Sequence, residues 1–383
     1  MNECVITGVG IVSAIGVGKE KFWESVVNNR SGIQDSTFLD LSKYNCKKVA
    51  EVKEIVDKSD RGYKFLKTAV EEAISDAKLF TSDISKQKVK VIIGSAHGSL
   101  IDWENWYRKE TEKFFAIEEL GFRLNKEFNI NSLPLCVSTA CTSSTIALGL
   151  GLNMIREELA DIVIVAGVDV LTEFVFAGFH SLRALSSTFC RPFDKTRDGL
   201  VLGEGAAAVV LENYDHAKKR NVEIYCKLQG FATTSDAKNF TAPDFGADGI
   251  YRCVVNALSD AKVEPKDVSY INAHGTGTLY NDKAECVAYK KVFQQYMSSI
   301  PISSIKSMVG HTSGACGVIE SVLCCLCIKH SFVPATFGLQ TPEEEFSYFN
   351  FVSVYGREQE VKFVVSTNLA FGGSNACVVF GKK

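Results

Sequence analysis

The longest apolar run in these 383 residues, Val318 to Ile328, falls short of a bilayer's width and carries Glu320 and Ser321, so no membrane span is expected. The segment Met1–Gly8 has no basic stretch followed by an apolar run and a small-residue cleavage site, so no secretory leader is expected. Neither charge sign dominates. Lys and Arg number 42 against 45 Asp and Glu, a formal net charge of −3, whereas a dedicated nucleic-acid binder is usually basic. No nucleic-acid partner is therefore expected. There is no long polar tract, no flexible linker and no short-period repeat, which excludes a disordered chain and a solenoid.

What remains is a compact globular composition, 46% hydrophobic and 23% charged, at a length that fits two fused halves. The thirteen cysteines are odd in number and scattered through predicted strands and helices. They read as reduced thiols in a cytosol, not as a disulfide framework, so a cytoplasmic location is expected.

Cys4–Thr7 reads as a strand leading into a glycine-rich turn, Gly8-Val9-Gly10. Lys19–Asn28 and Tyr63–Ala77 read as amphipathic helices, and Val89–Ile93 and Leu135–Thr139 as buried strands. Thr142–Leu159 suits a buried helix and Asp161–Ala166 a strand rich in Val and Ile. This alternation predicts an α/β architecture with a covered sheet. Strands are predicted again at Gly203–Leu211, Tyr225–Ala232, Val268–Asn272, Val361–Asn368 and Ala376–Phe380. Helices are predicted at Gly249–Ala261, Asp282–Gln294 and Ser313–Lys329. The polar stretch Asn213–Val222 marks the seam, giving halves 1–215 and 216–383 that share one core.

Four segments carry chemistry. Cys141 stands at a strand end and a helix start, in Val137-Ser138-Thr139-Ala140-Cys141-Thr142-Ser143-Ser144. Free N–H groups and positive partial charge there favour a thiolate, so a lowered pKa and a nucleophile are expected. A buried structural cysteine is the competing reading. His274 lies on a glycine-rich turn after a strand, with Thr276 and Thr278 beside it, and His311 follows Lys306 on a second such loop. Either histidine alone would be ordinary. With a helix-start cysteine, two imidazoles can serve acyl transfer and enolate stabilisation. The fourth segment, Asn368-Leu369-Ala370-Phe371-Gly372-Gly373, is a tight turn that can face its N–H groups to a ligand or simply close a hairpin.

Together these segments resemble the β-ketoacyl-[acyl-carrier-protein] synthases with a Cys-His-His site. Arg191–Gly199 and Val201–Gly205 are similar to that family's middle signature. The resemblance runs from Val5 to Phe380. It implies the thiolase fold, two similar α/β halves in a five-layer α-β-α-β-α sandwich, usually dimeric. By the same resemblance Cys141 is the acyl-carrying nucleophile, and His274 and His311 polarise a malonyl thioester during decarboxylation. Lys306 and Glu320 match the family's site lysine and helix carboxylate. Thr276 and Thr278 match its pantetheine-binding threonines, and the Cys141 and Phe371 N–H groups its oxyanion hole. A second histidine sets this subclass apart from chalcone-synthase-like relatives, which place asparagine there, and from thiolases, which use a second cysteine. The implied reaction is decarboxylative condensation giving a 3-oxoacyl-[acyl-carrier-protein]. No metal or cofactor is implied, because the phosphopantetheine arm arrives on the acyl carrier protein. The partner would be that carrier, with a homodimer or a heterodimer with a ketosynthase-like chain-length factor. A non-elongating partner subunit is the alternative reading, although such relatives lose the nucleophile.

Departures from the pattern bear on specificity. Leu369 stands where a gating phenylalanine is usual, and Ala370 replaces a glycine. Leu185–Cys190 resembles a trimmed loop near the site. Trp103, Trp106 and Tyr107 suggest either a pocket for a flat, polyene-type chain or plain packing. Arg61, Lys64 and Lys67 share a helical face that could meet an acidic carrier or only water. Gly8-Val9-Gly10 is a weak dinucleotide fingerprint. Cys324, Cys325, Cys327 and His330 raise a metal site, but the paired-ligand loops are missing and a buried wall fits better.

Overall fold

Two runs of five strands with the same order and the same directions form the centre of the structure. In this computed structural model, residues 2–55, 59–79, 87–98, 100–112 and 116–383 are described. The first run comprises β1 (Cys4–Ser13), β2 (Val89–Gly94), β3 (Leu135–Val137), β4 (Ile162–Asp169) and β5 (Gly205–Asn213). The second comprises β6 (Cys226–Ser235), β7 (Tyr270–Asn272), β8 (Ile302–Ser303), β9 (Phe363–Leu369) and β10 (Ser374–Gly381). Their spatial orders are β3-β2-β4-β5-β1 and β8-β7-β9-β10-β6. In each run the first three neighbours are parallel and the remaining pairings antiparallel. The chain therefore carries an internal structural duplication that no short-period sequence repeat announces. The runs meet where Val5 and Ile6 of β1 pair with Lys227 and Cys226 of β6.

Five helices complete the layers: α1 (Arg61–Asp76), α2 (Ser143–Arg156), α3 (Asp248–Ala261), α4 (Leu279–Phe293) and α5 (Cys316–His330). The outer face of the first run is covered by α1, and that of the second by α3 with α4 behind it. Between the runs lie α2 and α5, buried in the largest apolar cluster. This is the five-layer thiolase arrangement. Burial in the middle layer explains why α5 lacks a polar face: Ser313–His330 has mean hydropathy 1.3 and is 89% buried within the protein. Cys324, Cys325 and Cys327 are fully covered there, and burial pushes all three thiols upward. His330 instead stacks on Trp23 at the helix end, 4.9 Å between centroids. These residues are a packed wall.

Two sequence expectations are corrected. Gly8 and Gly10 form no turn; β1 runs unbroken through them. A Cβ on Gly8 would lie 2.2 Å from the Ala73 carbonyl oxygen, and one on Gly10 2.0 Å from that of Ala69. The glycines let α1 lie backbone-close on the strand, so no phosphate-binding turn exists there. The second half repeats the device: a Cβ on Gly230 of β6 would lie 2.4 Å from the Ala257 carbonyl oxygen of α3. Each contact is preceded by an irregularity, skipping Thr7 in one pairing and Gln229 in the other. The second correction concerns Arg61, which is 2% exposed and ion-paired inward with fully buried Glu204, Nε to Oε2 3.0 Å. Spacing placed Arg61 with Lys64 and Lys67 but could not foresee its buried partner. Lys67 meets Glu127 at 2.5 Å, and Lys64 reaches Ser59.

Candidate active site

A cleft of about 300 Å³ opens where the two halves' strand ends face each other. Its walls bring together Cys141, His274, His311, Thr276, Thr278, Leu369 and Phe371 from four separate segments. Lys306 and Glu320 lie behind the wall.

Cys141 sits on a strained elbow between β3 and α2. Ala140 has φ of +52°, which is unfavourable for a residue with a Cβ and persists only when its surroundings enforce it. Ser143 enforces it: its Oγ donates to the Ala140 carbonyl at 2.6 Å and accepts the Thr139 N–H at 2.9 Å. Thr142 Oγ1 donates to the Thr139 carbonyl at 2.7 Å. The helix starts at Ser143, and Gly94 gives its first turn room, since a Cβ there would lie 2.4 Å from Ser144 Cα. Cys141 is 8% exposed, and that exposure is to the cleft.

His274 follows β7 on a loop whose N–H groups converge on two carboxylates of α4. Glu285 accepts from the His274 and Gly275 N–H groups at 2.8 and 2.7 Å, and Asp282 from the Thr276 N–H at 3.0 Å. Burial, then the neighbouring Asp282 charge, pushes Glu285 up to about 7. The middle signature braces the same loop. Phe193 N–H donates to Asp282, the Arg197 guanidinium to the Thr278 and Leu279 carbonyls, and Gly199 N–H to the Gly277 carbonyl. His311 is fixed by the other signature segment: its N–H donates to the Val201 carbonyl at 2.7 Å and its carbonyl accepts the Gly203 N–H at 3.0 Å. Both signatures from the first half thus hold histidines of the second.

The Cys141 sulfur and one nitrogen of each histidine all lie within 4.8 Å of one another. The imidazoles meet at 89° with centroids 5.3 Å apart. What each ring does is set from behind. Asn368 Nδ2 donates to Glu320 Oε2 at 2.8 Å and lies 3.3 Å from His274 Nδ1. An amide nitrogen only donates, so Nδ1 accepts and the proton of neutral His274 sits on Nε2. The Asn368 oxygen meanwhile accepts the Thr145 hydroxyl, and Glu320 is ion-paired with Lys306. In His311 the Ser313 N–H points at Nδ1 at 3.0 Å, again leaving the proton to Nε2. Burial, then the Lys306 charge, then His311, holds His274 well below the usual histidine range. Burial opposes the Lys306 cation, but Glu320 outweighs it and raises Lys306.

Cysteine and two histidines could also hold zinc. A metal-bound histidine donates its second N–H to an acceptor. Here both second nitrogens face donors, which is the opposite arrangement, and a buried lysine cation stands behind. The donor set therefore fits an anion-stabilising pair better than a cation site.

The turn Ala370–Gly373 is closed by the Ala370 N–H to the Ser374 carbonyl at 2.8 Å and the Gly373 N–H to the Ala370 carbonyl at 3.1 Å. Gly372 and Gly373 take φ of 87° and 79°. Among the described residues the Phe371 N–H has no acceptor, and its ring stacks on Phe179 at 5.7 Å. Thr276 and Thr278 hydroxyls lie 2.9 Å apart on the wall. Trp103 stacks on Tyr107 at 5.6 Å, and neither these two nor Trp106 lines the cleft. Sequence reasoning missed Asn368 as a functional group and missed Glu285 and Asp282 altogether. The signal for the last two was an Asp-x-x-Glu spacing on the helix directly after Thr278.

A paired-half α/β sandwich with a cysteine and two Nε2–H imidazoles at its central cleft is the architecture of a thiolase-fold condensing enzyme. The comparisons give the family. Residues 1–217 match the beta-ketoacyl synthase N-terminal domain and residues 225–340 the beta-ketoacyl synthase C-terminal domain. The chain is 34% identical to a 3-oxoacyl-[acyl-carrier-protein] synthase 2 of Coxiella burnetii, over 100% of this chain and 99% of that one. It superposes with TM-score 0.94 and 29% identity, 100% of each chain covered, on a type II polyketide-synthase ketosynthase solved with its acyl-carrier protein and a hexaketide. The ishigamide ketosynthase/chain length factor gives TM-score 0.91 at 29% identity, covering 100% of this chain and 99% of that one. The chain belongs to the β-ketoacyl synthase family.

Proposed function

We propose that this acyltransferase carries an acyl group as a thioester on Cys141 and condenses it with a malonyl unit held on an acyl carrier protein. The observation that carries the reading is the sulfur and two ring nitrogens within 4.8 Å, each ring having its Nδ1 occupied by a donor. The Cys141 thiolate attacks an incoming acyl thioester, the carrier's sulfur leaves, and the transient oxyanion is held by the Cys141 and Phe371 N–H groups. Thr276 and Thr278 line the path for the pantetheine arm, which the carrier supplies, so the chemistry needs no cofactor of the protein's own. A malonyl thioester then loses CO2; the electron pair of the broken C–C bond moves into an enolate. His274 and His311 donate Nε2–H bonds to its oxygen, and removing one such donor is expected to slow the step by about 10²–10³-fold. The enolate carbon attacks the acyl carbonyl, the Cys141 thioester breaks, and a 3-oxoacyl-[acyl-carrier-protein] leaves. Lys306 and Glu320 act as positioning residues through Asn368.

Leu369 sits 8% exposed in the cleft wall, a branched aliphatic where the gate would be aromatic, which supports an acyl chain other than an ordinary long saturated one. A second chain fits against β3, the last strand of its run, whose outer edge is unpaired among the described residues beside exposed Leu133 and Leu135. That partner is a second copy or a ketosynthase-like chain-length factor. The non-elongating reading is disfavoured because Cys141 faces the cleft with both histidines in place. Incubation with acyl- and malonyl-carrier protein tests the proposal: a 3-oxoacyl product supports it, and malonyl consumption without C–C bond formation overturns it.

A further inference from the structure

The turn that carries Phe371 is pinned to its own half of the molecule. The Gly372 N–H donates to the Phe240 carbonyl at 2.7 Å, and the Asp236 N–H donates to the Gly373 carbonyl at 2.8 Å. Cys141 belongs to the other half and rides on the elbow before α2. Two N–H groups from different halves can hold one oxyanion only if the distance between them is fixed, because such donors act by being in place before the charge develops.

Two hydrogen bonds from the start of α2 straddle the turn. Thr145 donates its hydroxyl to Asn368, before Phe371, and that contact serves the His274 side of the cleft. The second joins Thr142 to Ser374, after Phe371: the two hydroxyl oxygens lie 3.0 Å apart, across 232 positions of sequence. The single hydroxyl hydrogen of Thr142 has its nearest acceptor in the Thr139 carbonyl at 2.7 Å, so Ser374 donates and Thr142 accepts. Thr142 is fully buried and directly follows Cys141. Ser374 opens β10, and its carbonyl accepts the Ala370 N–H that closes the Phe371 turn. One residue thus holds the turn through its backbone and the neighbour of the nucleophile through its side chain. Among the described residues the Ser374 hydroxyl has no other partner.

Resting on the functional reading above, we propose that Thr142 and Ser374 are positioning residues, a hydroxyl strut between the halves that sets the spacing of the Cys141 and Phe371 N–H groups. The strut touches no reacting atom. Its effect belongs to the step whose oxyanion those N–H groups hold, transfer of the acyl group onto Cys141. Decarboxylation, whose enolate oxygen the two histidines hold, does not depend on it.

The test is a double-mutant cycle on Ser374→Ala and Thr142→Val, with Ser374→Thr as the variant that keeps the hydroxyl. Acylation of Cys141 by acyl-carrier protein is timed by intact mass, and CO2 release from malonyl-carrier protein is timed separately. Ser374→Ala should slow acylation at saturating carrier about tenfold, less than the 10²–10³-fold for outright loss of one oxyanion donor, with the acylation KM and CO2 release kept. Ser374→Thr should restore the rate. In the Thr142→Val background the same Ser374→Ala change should cost nothing further, because its partner is already gone. Unchanged acylation in Ser374→Ala overturns the strut, and so does an equal loss of acylation and CO2 release. Failure of Ser374→Thr to recover the rate, or additive losses in the double variant, overturns it as well. If wild type itself takes up no acyl group, the functional reading fails and the strut falls with it, a result told apart by its appearance before any substitution is made.

Discussion

Asn368 Nδ2 stands 3.3 Å from His274 Nδ1 and thereby fixes on which nitrogen that ring carries its proton. The same amide is anchored by Glu320 at 2.8 Å, so a buried carboxylate two residues removed from the cleft determines what His274 presents to it. Asn368→Leu should remove that control. We expect decarboxylation of malonyl thioester to fall about 10²-fold or more, as for loss of one oxyanion donor, while acyl transfer to Cys141 is kept. Separate assays of CO2 release and of Cys141 acylation check this.

The pH dependence follows from His274. Its folded-state pKa lies below the ordinary 6.5 because burial and the Lys306 charge oppose the imidazolium. Between its folded pKa and 6.5 the unfolded chain takes up a proton that the folded chain refuses. His274 therefore contributes stability that is complete above about 6.5 and is lost as pH falls through that window. Glu285, raised from 4.5 to about 7, has the opposite sign: its contribution is present below 4.5 and lost as pH rises toward 7. Net stability mixes the two, whereas the residual malonyl decarboxylation of a His311→Asn variant isolates His274. Its acid limb should lie clearly below pH 6.5, read from a pH–rate profile.

The Lys306–Glu320 pair is a buried charge pair, 1% and 3% exposed. Glu320→Ala leaves the lysine without its counter-charge and removes the carboxylate that anchors the Asn368 amide. The variant should lose about 3–5 kcal/mol in urea unfolding, the penalty for breaking a buried ion pair. Lys306→Met with Glu320→Leu should recover much of that stability without recovering decarboxylation, because the Asn368 anchor stays missing.

Helix crossing at the core gives a packing prediction. A Cβ on Gly317 would lie 2.0 Å from Thr145 Oγ1, where α5 crosses α2 beneath Cys141. Gly317→Val should destabilise by at least ~3 kcal/mol, the upper range for overpacking. Gly178, in the helix Glu173–Ser181, has nothing within 4 Å of a Cβ, so Gly178→Ala should stabilise by about 0.5–1 kcal/mol. Urea midpoints of both variants check the contrast.

The residues that the cleft brings together were legible in the sequence because each stands on a local motif: a strand end, a glycine-flanked loop or a helix start. Element order was legible for the same reason, since apolar runs and helical periodicity are local. What needed long-range partners was not. The Gly8 and Gly10 pattern reads as a turn until α1 is seen lying on the strand. Arg61 reads as surface charge until Glu204, 143 positions away, is seen beside it. Asn368 reads as a strand residue until Thr145, Glu320 and His274 converge on its amide. The duplication was implied only by family resemblance, because equal topology does not require a visible sequence repeat.

Intact-mass measurement of the protein after exposure to acyl-carrier protein tests the central claim most directly. The account predicts a covalent acyl adduct on wild type that disappears on adding malonyl-carrier protein, with no adduct on Cys141→Ala. An adduct that persists in Cys141→Ala, or none at all on folded wild type offered a range of acyl chains, would contradict it.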